Sequence, residues 1–353
     1  MATTEERRPT GSPGPDDLDP RKAAVLNAVV SEYIGTSQPV GSQHVVDAPG
    51  VNVSSATVRS DMAALERDGY LTQPHTSAGR IPTDKGYRFF VDHLDDPGSL
   101  DAAGRQTVRR FFDHAHGEIE GMLQKTSKLL ADLTDYTAMV VGPTHEAAAV
   151  RSLQLVGLGP RLALVVVVLA DGAVQKQTIE VPDECDDAEL EAAARHLATH
   201  VLGRSLSQLS AGVPPTGDRR VDAVVRAGVT ALRVLRQTGS SEQLFVGGSA
   251  RMAEAFDAVD TVRAVLSILE QQLVVVNLMR DILDTGLSVA IGTEHGVEPL
   301  ASCAIVVMPV EIDGTEAGTV GLLGPTRMNY PLALAAARVV GDRLGRRLSE
   351  ATP

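Results

Sequence analysis

Val53-Ser54-Ser55-Ala56-Thr57-Val58-Arg59-Ser60-Asp61-Met62-Ala63-Ala64-Leu65-Glu66, preceded by Val40-Gly41-Ser42 and followed by Pro74-His75-Thr76-Ser77-Ala78-Gly79-Arg80-Ile81-Pro82-Thr83-Asp84-Lys85-Gly86-Tyr87-Arg88, organises the N-terminal part of this chain. Ser54 suits a helix N-cap and Gly69 the C′ position after the last turn. With Val58 at zero and 100° per residue, Met62 and Leu65 fall within about 40° of it. These three form the core face. Ala56, Ser60, Ala63 and Arg67 fall opposite, with Arg59 and Glu66 flanking. A helix entering a DNA major groove needs such a small, smooth start, and its first turns meet the base edges. Arg59 is placed to reach a guanine edge and Ala56 to pack on a thymine methyl. On this helix alone the plainer alternative stands equally: exposed Ala as a helix former, Arg59 as a solvated charge.

The flanking segments tip the balance. Asp19-Pro20 opens a first helix with Leu26, Val29, Val30 and Tyr33 at helical spacing, ending near Gly35. Gly41-Ser42 opens a short second helix stopped by Pro49-Gly50. Gly69-Tyr70-Leu71-Thr72-Gln73 and Ile81-Pro82 read as two short strands around a loop from His75 to Arg80, with Arg80 at a cationic tip able to enter a minor groove. Thr83 caps a helix from Asp84 to Leu94 that offers Lys85 and Arg88 to phosphates. The expected DNA-contacting set is Ser55, Ala56, Thr57, Arg59, Ser60, Ala63, His75, Arg80, Lys85 and Arg88.

Composition bounds the rest. The chain has 353 residues, enough for two or three domains, and 43% are hydrophobic. It has no Trp and only 3% aromatic residues, so its core rests on Val, Leu and Ala. Cys185 and Cys303 are far apart in sequence and match no metal spacing, which predicts free, buried thiols in a reducing, cytoplasmic setting. Residues 1–18 have no apolar stretch of a signal peptide and read as a disordered leader. The longest apolar run, Leu162 to Ala170, is too short for a membrane span and reads as a buried strand. The net charge of −13 argues against a nonspecific nucleic-acid coat. Even Arg21 to Asp96 has seven Lys/Arg against nine Asp/Glu. Duplex binding therefore needs local placement of cations at Arg59, Arg80, Lys85 and Arg88, and doubling of the site in a homodimer.

Pro39-Val40-Gly41-Ser42, Ser54 to Arg59, Asp61-Met62, Leu65-Glu66, Gly69-Tyr70-Leu71, nearly all of Gln73 to Asp92, Gly318, and Gly324-Pro325-Thr326-Arg327-Met328-Asn329-Tyr330 carry a resemblance to the HrcA-type heat-inducible transcription repressors of bacteria. It extends from about Asp19 to Arg347. The resemblance implies repression of chaperone operons through an inverted-repeat operator (the CIRCE element), with the chaperonin GroEL helping the repressor to its active form. It also implies a GAF-like domain interrupted by an inserted dimerisation domain. Two positions depart from the family pattern. Ser60 stands where Asn usually follows the recognition-helix Arg, and cannot make Asn's bidentate contact to adenine. Glu294-His295 stands where Glu-Asn is common.

Beyond residue 100, a helical pattern runs from Asp101 to Tyr136, broken near Gly117. Strands follow at Ala149–Leu158, Arg161–Leu169 and Ala173–Glu180, then helices at Asp187–Gly203 and Arg219–Gln237. Phe245-Val246-Gly247-Gly248 reads as a connection to helices at Ala250–Phe256 and Thr261–Leu283. Strands at Leu287–Ile291, Ser302–Val310 and Gly318–Gly324 precede a last helix, Leu332–Leu348. The expected fold is α+β and multidomain: a leader at 1–18, a winged helix-turn-helix at 19–97, GAF-like parts at 98–182 and 260–349, and a mainly helical dimerisation insert at 183–259. The apolar faces of the insert's helices (Leu190, Ala194, Leu197, Val201; Val221, Val225, Val229, Leu232, Leu235) are the expected dimer surface. No catalytic constellation, cofactor loop or metal spacing stands out: Gly157-Leu158-Gly159-Pro160 lacks the third glycine of a dinucleotide loop, and His114 and His116 face different ways on a helix. Duplex DNA, a second copy and chaperonin are the expected partners, with no membrane. A regulator gated by a small molecule in the GAF-like domain is the alternative, which a polar-lined cavity there would favour.

Overall fold

The computed structural model describes residues 18–75, 79–94, 98–114, 118–143, 148–183, 185–208, 213–239, 242–251, 256, 259–312 and 314–351. Residues 1–17 of the expected leader, and the middle of the expected Ala250–Phe256 helix, lie outside this set. The chain divides into two compact units, Met1–Asp95 and Asp96–Pro353.

The first unit is helical with one small ladder. Helix α1 (Pro20–Thr36) starts as its sequence predicts, with the Asp19 carboxylate accepting from the amides of Arg21 and Lys22. It buries Val25, Leu26, Val29 and Val30 completely, each worth about 1.5–3 kcal/mol relative to exposure. Helix α2 (Ser42–Val46) and helix α3 (Ser55–Arg67) follow. Strands β1 (Leu71–Thr72) and β2 (Ile81–Pro82) pair antiparallel, and helix α4 (Asp84–Asp92) closes the unit. The ladder is extended by Val40, whose N–H and C=O both bond to Arg80 at 2.9 Å. This close approach explains Gly79, since a Cβ there would lie 2.4 Å from the Val40 carbonyl oxygen. Gly86 is similar: its Cβ would meet the Tyr70 oxygen at 2.2 Å, so only glycine lets α4 lie this close to β1.

The second unit contains two separate sheets. The larger has five antiparallel strands in the order β7-β3-β10-β9-β8, where β3 is Thr137–Val141, β7 Leu244–Gly247, β8 Val289–Ile291, β9 Cys303–Ile312 and β10 Thr315–Pro325. One face carries helix α6 (Ile119–Thr134) and the C-terminal helix Tyr330–Ala351. The other carries helices α9 (Val259–Glu270) and α10 (Gln272–Asp284), whose Val265, Leu269, Val275 and Met279 pack on Met139, Val141, Ile305 and Val307. Helices α9 and α10 replace the single helix expected over Thr261–Leu283, bent by 92° at the break. Among the described residues no single helix is long and apolar enough to cross a membrane. Helix α5 (Ala102–Asp113) precedes α6.

The smaller sheet is a meander of β4 (Val150–Gly159), β5 (Leu162–Leu169) and β6 (Val174–Glu180). Helices α7 (Asp187–Val201) and α8 (Arg219–Gly239) cover one of its faces. Two expectations change here. The strands from Ala149 to Glu180 do not join the later strands in one interrupted sheet: they share a core with α7 and α8. The excursion between β3 and β7 is therefore a mixed α/β module rather than a mainly helical insert beginning at 183. The apolar helix faces expected to form a dimer surface are also spent within the chain. Leu190, Leu197, Val201, Val221, Val225, Leu232 and Leu235 are all buried in one core with Val165, Val167 and Leu169, and Ala194 and Val229 pack against it partly buried.

Candidate nucleic-acid interface

Helix α3 is positioned by three inward side chains and one ion pair. Val58, Met62 and Leu65 are buried as the helical phase predicts. Asp61, 4% exposed, joins them only because Arg21 of α1 grips it through two guanidinium N–H groups, at 2.8 and 3.1 Å. That pairing raises the Arg21 pKa above its ordinary value, the hydrogen bond to Asp61 being the main cause. The sequence reading assigned no role to either residue. An Asp following a short outward stretch in a helix, with an Arg one helix away, offers no local signal of burial.

The outward face carries Ala56, Arg59, Ser60, Ala63 and Arg67, all exposed. The helix start is fixed by Ser54, whose hydroxyl accepts from the Thr57 amide at 3.3 Å and lies 3.0 Å from the Thr57 hydroxyl. The Ser55 hydroxyl lies 3.0 Å from that of Ser42 and so ties α3 to the start of α2. Of the three hydroxyls expected to meet DNA, those of Ser55 and Thr57 thus hold the turn together, while Ser60 stays on the exposed face.

The cations divide sharply. Arg80 is not at a free tip: its Nε donates to Glu66 at 2.8 Å, its backbone is bridged to Val40, and its side chain is 20% exposed. The physical reason is the ladder itself, which brings residue 80 back beside α3. Residues 76–78 of the expected tip lie outside the described residues, while His75 before them is exposed. The Lys85 ammonium sits 4.2 Å from the centroid of the Tyr70 ring and donates to the Asp68 carbonyl at the C-terminal end of α3. Arg88 pairs with Asp92 one turn along α4 at 3.2 Å. Of the four cations expected to build a positive face, only Arg59 has no ion-pair, hydrogen-bond or ring partner among the described residues. Arg67, on the same outward face and also unpaired among them, joins it. The resulting surface is a smooth helix face with two free guanidiniums, two turns apart.

Comparison with known proteins gives first a class. A relative from Nocardia farcinica is 37% identical over 346 residues, covering 96% of this chain and 99% of its own length. One from Rhodococcus jostii is 38% identical over 344 residues, covering 94% and 99%. One from Mycobacterium leprae is 37% identical over 343 residues, covering 94% and 99%. All three are named heat-inducible transcription repressors. The chain belongs to the HrcA family: residues 120–333 match the family described as the HrcA protein C-terminal domain. In fold it is similar to a crystal structure of a hypothetical protein, with a TM-score of 0.71, 24% identity, and coverage of 95% of this chain and 100% of the other.

Proposed function

We propose that this chain is a heat-inducible transcription repressor that reads an inverted-repeat operator of chaperone genes as a homodimer, its active fraction raised by the chaperonin GroEL. The observation that carries the DNA-reading part is the outward face of α3: Ala56, Ser60 and Ala63 permit close approach, and Arg59 beside them is free to reach a base edge. The helices α1 to α3 with the β1–β2 ladder form a winged helix-turn-helix. Arg80 there fixes the ladder against Glu66 rather than entering a groove. Arg67, Lys85 and Arg88 supply the backbone contacts, Lys85 and Arg88 after exchanging their present partners for phosphates. Ser60 recognises its base pair by a single hydrogen bond. The five-stranded unit with helices on both faces is the GAF-like domain, interrupted by the three-stranded module.

The module also supplies a dimer surface, on the side opposite α7 and α8. Leu162, Leu164, Val166 and Val168 alternate with the inward side chains of the central strand β5, and none of them is fully buried. Val156 and Leu158 on β4 stand beside them, 44% and 56% exposed. A contiguous aliphatic face of this kind marks an association surface.

Arg59→Ala tests the base reading. It is expected to weaken operator binding by about 1–3 kcal/mol while leaving random duplex nearly unchanged. Lys85→Ala should weaken both alike and reduce the salt slope by about one. Titrations on both DNAs across a salt series measure this. Equal losses on both for Arg59→Ala would assign that residue to the phosphate backbone and overturn the reading.

A further inference from the structure

A cavity of about 470 Å³ opens beside α10, at the ends of β3 and β10 in the five-stranded unit. Its floor is aliphatic, with Val141, Val276, Met279 and Leu283. The sheet dictates what else points inward. Thr319 is the register partner of Val141, which packs in the core beneath α10. Leu323, four residues along β10, belongs to the same core. Strand alternation therefore turns the Thr319 side chain toward α10 and into the cavity. Thr319 is only 7% exposed, yet its hydroxyl has no hydrogen-bond partner among the described residues. Its oxygen is not among the buried unpaired side-chain atoms, so the hydroxyl is the part of the side chain open to the cavity.

The rim gives the sign of the missing partner. Arg280 donates to Glu242 at 2.5 Å, so these two charges cancel. Asp284 and Glu316 remain, exposed at the mouth and without an ion-pair partner among the described residues. A β-bulge between Glu316 and Gly318 sets this end of β10 off the regular ladder. The volume falls within the roughly 300–1,000 Å³ of small-molecule sites, and the lining combines aliphatic side chains with a larger share of polar surface.

We propose that this cavity binds an aliphatic amine cation. Its methylene chain lies on Val141, Val276, Met279 and Leu283. Its ammonium donates to the Thr319 hydroxyl oxygen and to the carboxylates of Asp284 and Glu316. The proposal concerns a site remote in sequence from α3 and stands or falls independently of DNA binding.

Calorimetric titration of the full chain with cadaverine and with spermidine tests it, with 1,5-pentanediol as the uncharged match to cadaverine. The expected result is one site per chain for the amines and none for the diol. The double variant D284N/E316Q should weaken amine binding by about tenfold or more. T319V, which keeps the branched shape, should weaken it with stoichiometry unchanged. D260N/E270Q removes the same two charges from exposed positions on α9 and should leave affinity as it is, which separates a site from general attraction to a chain of net charge −13. Equal losses in the two double variants, several weak sites, equal binding of the diol, or no heat at millimolar amine would each overturn the proposal.

Discussion

At the scale of single residues, two buried groups make contrasting demands. Asp61 is a carboxylate in a core position, tolerable only while Arg21 holds it. The Arg21 side chain is itself 48% exposed, so water screens the pair and its loss costs less than a fully buried one. Arg21→Ala is expected to lower the denaturation midpoint of the first unit, with the double variant R21A/D61A recovering part of the loss. Cys303 is the opposite case, a thiol kept neutral. Burial pushes its pKa up to about 11, so below that pH it stays protonated and unreactive. Cys185 is only partly buried, though burial and Glu189 raise its pKa as well. Alkylation of the native chain near pH 8 should therefore modify Cys185 first. Cys303 should react only on unfolding or as pH climbs toward 11. Mass spectrometry of the labelled peptides checks the order, and equal labelling of both thiols would contradict it.

Among elements, the tightest constraint is the contact of α4 on β1. Gly86→Ala would drive a Cβ to 2.2 Å from the Tyr70 carbonyl oxygen, which is backbone and cannot step aside. The expected cost is about 1–3 kcal/mol or more. Operator affinity should fall with it, because Tyr70 and Thr83 link α4 to the end of α3. Thermal unfolding with parallel DNA titration measures both. The elements themselves were largely legible. Helix α3 announces its cap, its apolar phase and its end, and β4, β5 and β6 fall within a residue of their predicted starts because Gly-containing turns bracket them. Strands β3 and β7 were not found. Thr137–Val141 follows directly on a helix and is buried on both faces, so it shows no alternation, and Leu244–Gly247 has four residues and ends in glycine. Partnerships were less legible still. That β3 pairs with β7 and with β10, or that Arg80 pairs with Glu66, is a fact of tertiary geometry that no local period encodes.

At the scale of the whole molecule, the proposed pairing through the aliphatic face of β5 would let two weakly cationic heads act together. With few free cations on each α3, one head alone should hold a half-site poorly. Joining two makes the second contact intramolecular and raises affinity by orders of magnitude. Val166→Glu places a charge at the centre of the outward face, while the inward Val165 and Val167 keep the module's core intact. It should leave a folded chain of 37.2 kDa in place of a species twice that mass, and it should reduce operator binding far more than binding of a single half-site. Light scattering with circular dichroism gives the first result and parallel titrations the second. A dimer that survives the substitution would move the interface elsewhere.

The point where the module leaves the five-stranded sheet has a further meaning. Val141 and Leu244 are opposed residues on adjacent antiparallel strands, and the Gly142 amide bonds to the Gln243 carbonyl. Topologically the whole module is the loop of a hairpin, a hundred residues where two would close it. Such a junction is a splice site for evolution. A coding segment can enter or leave there with the sheet's hydrogen bonds unbroken, so a lineage can gain, lose or replace the module while the five-stranded unit and the first unit descend unchanged.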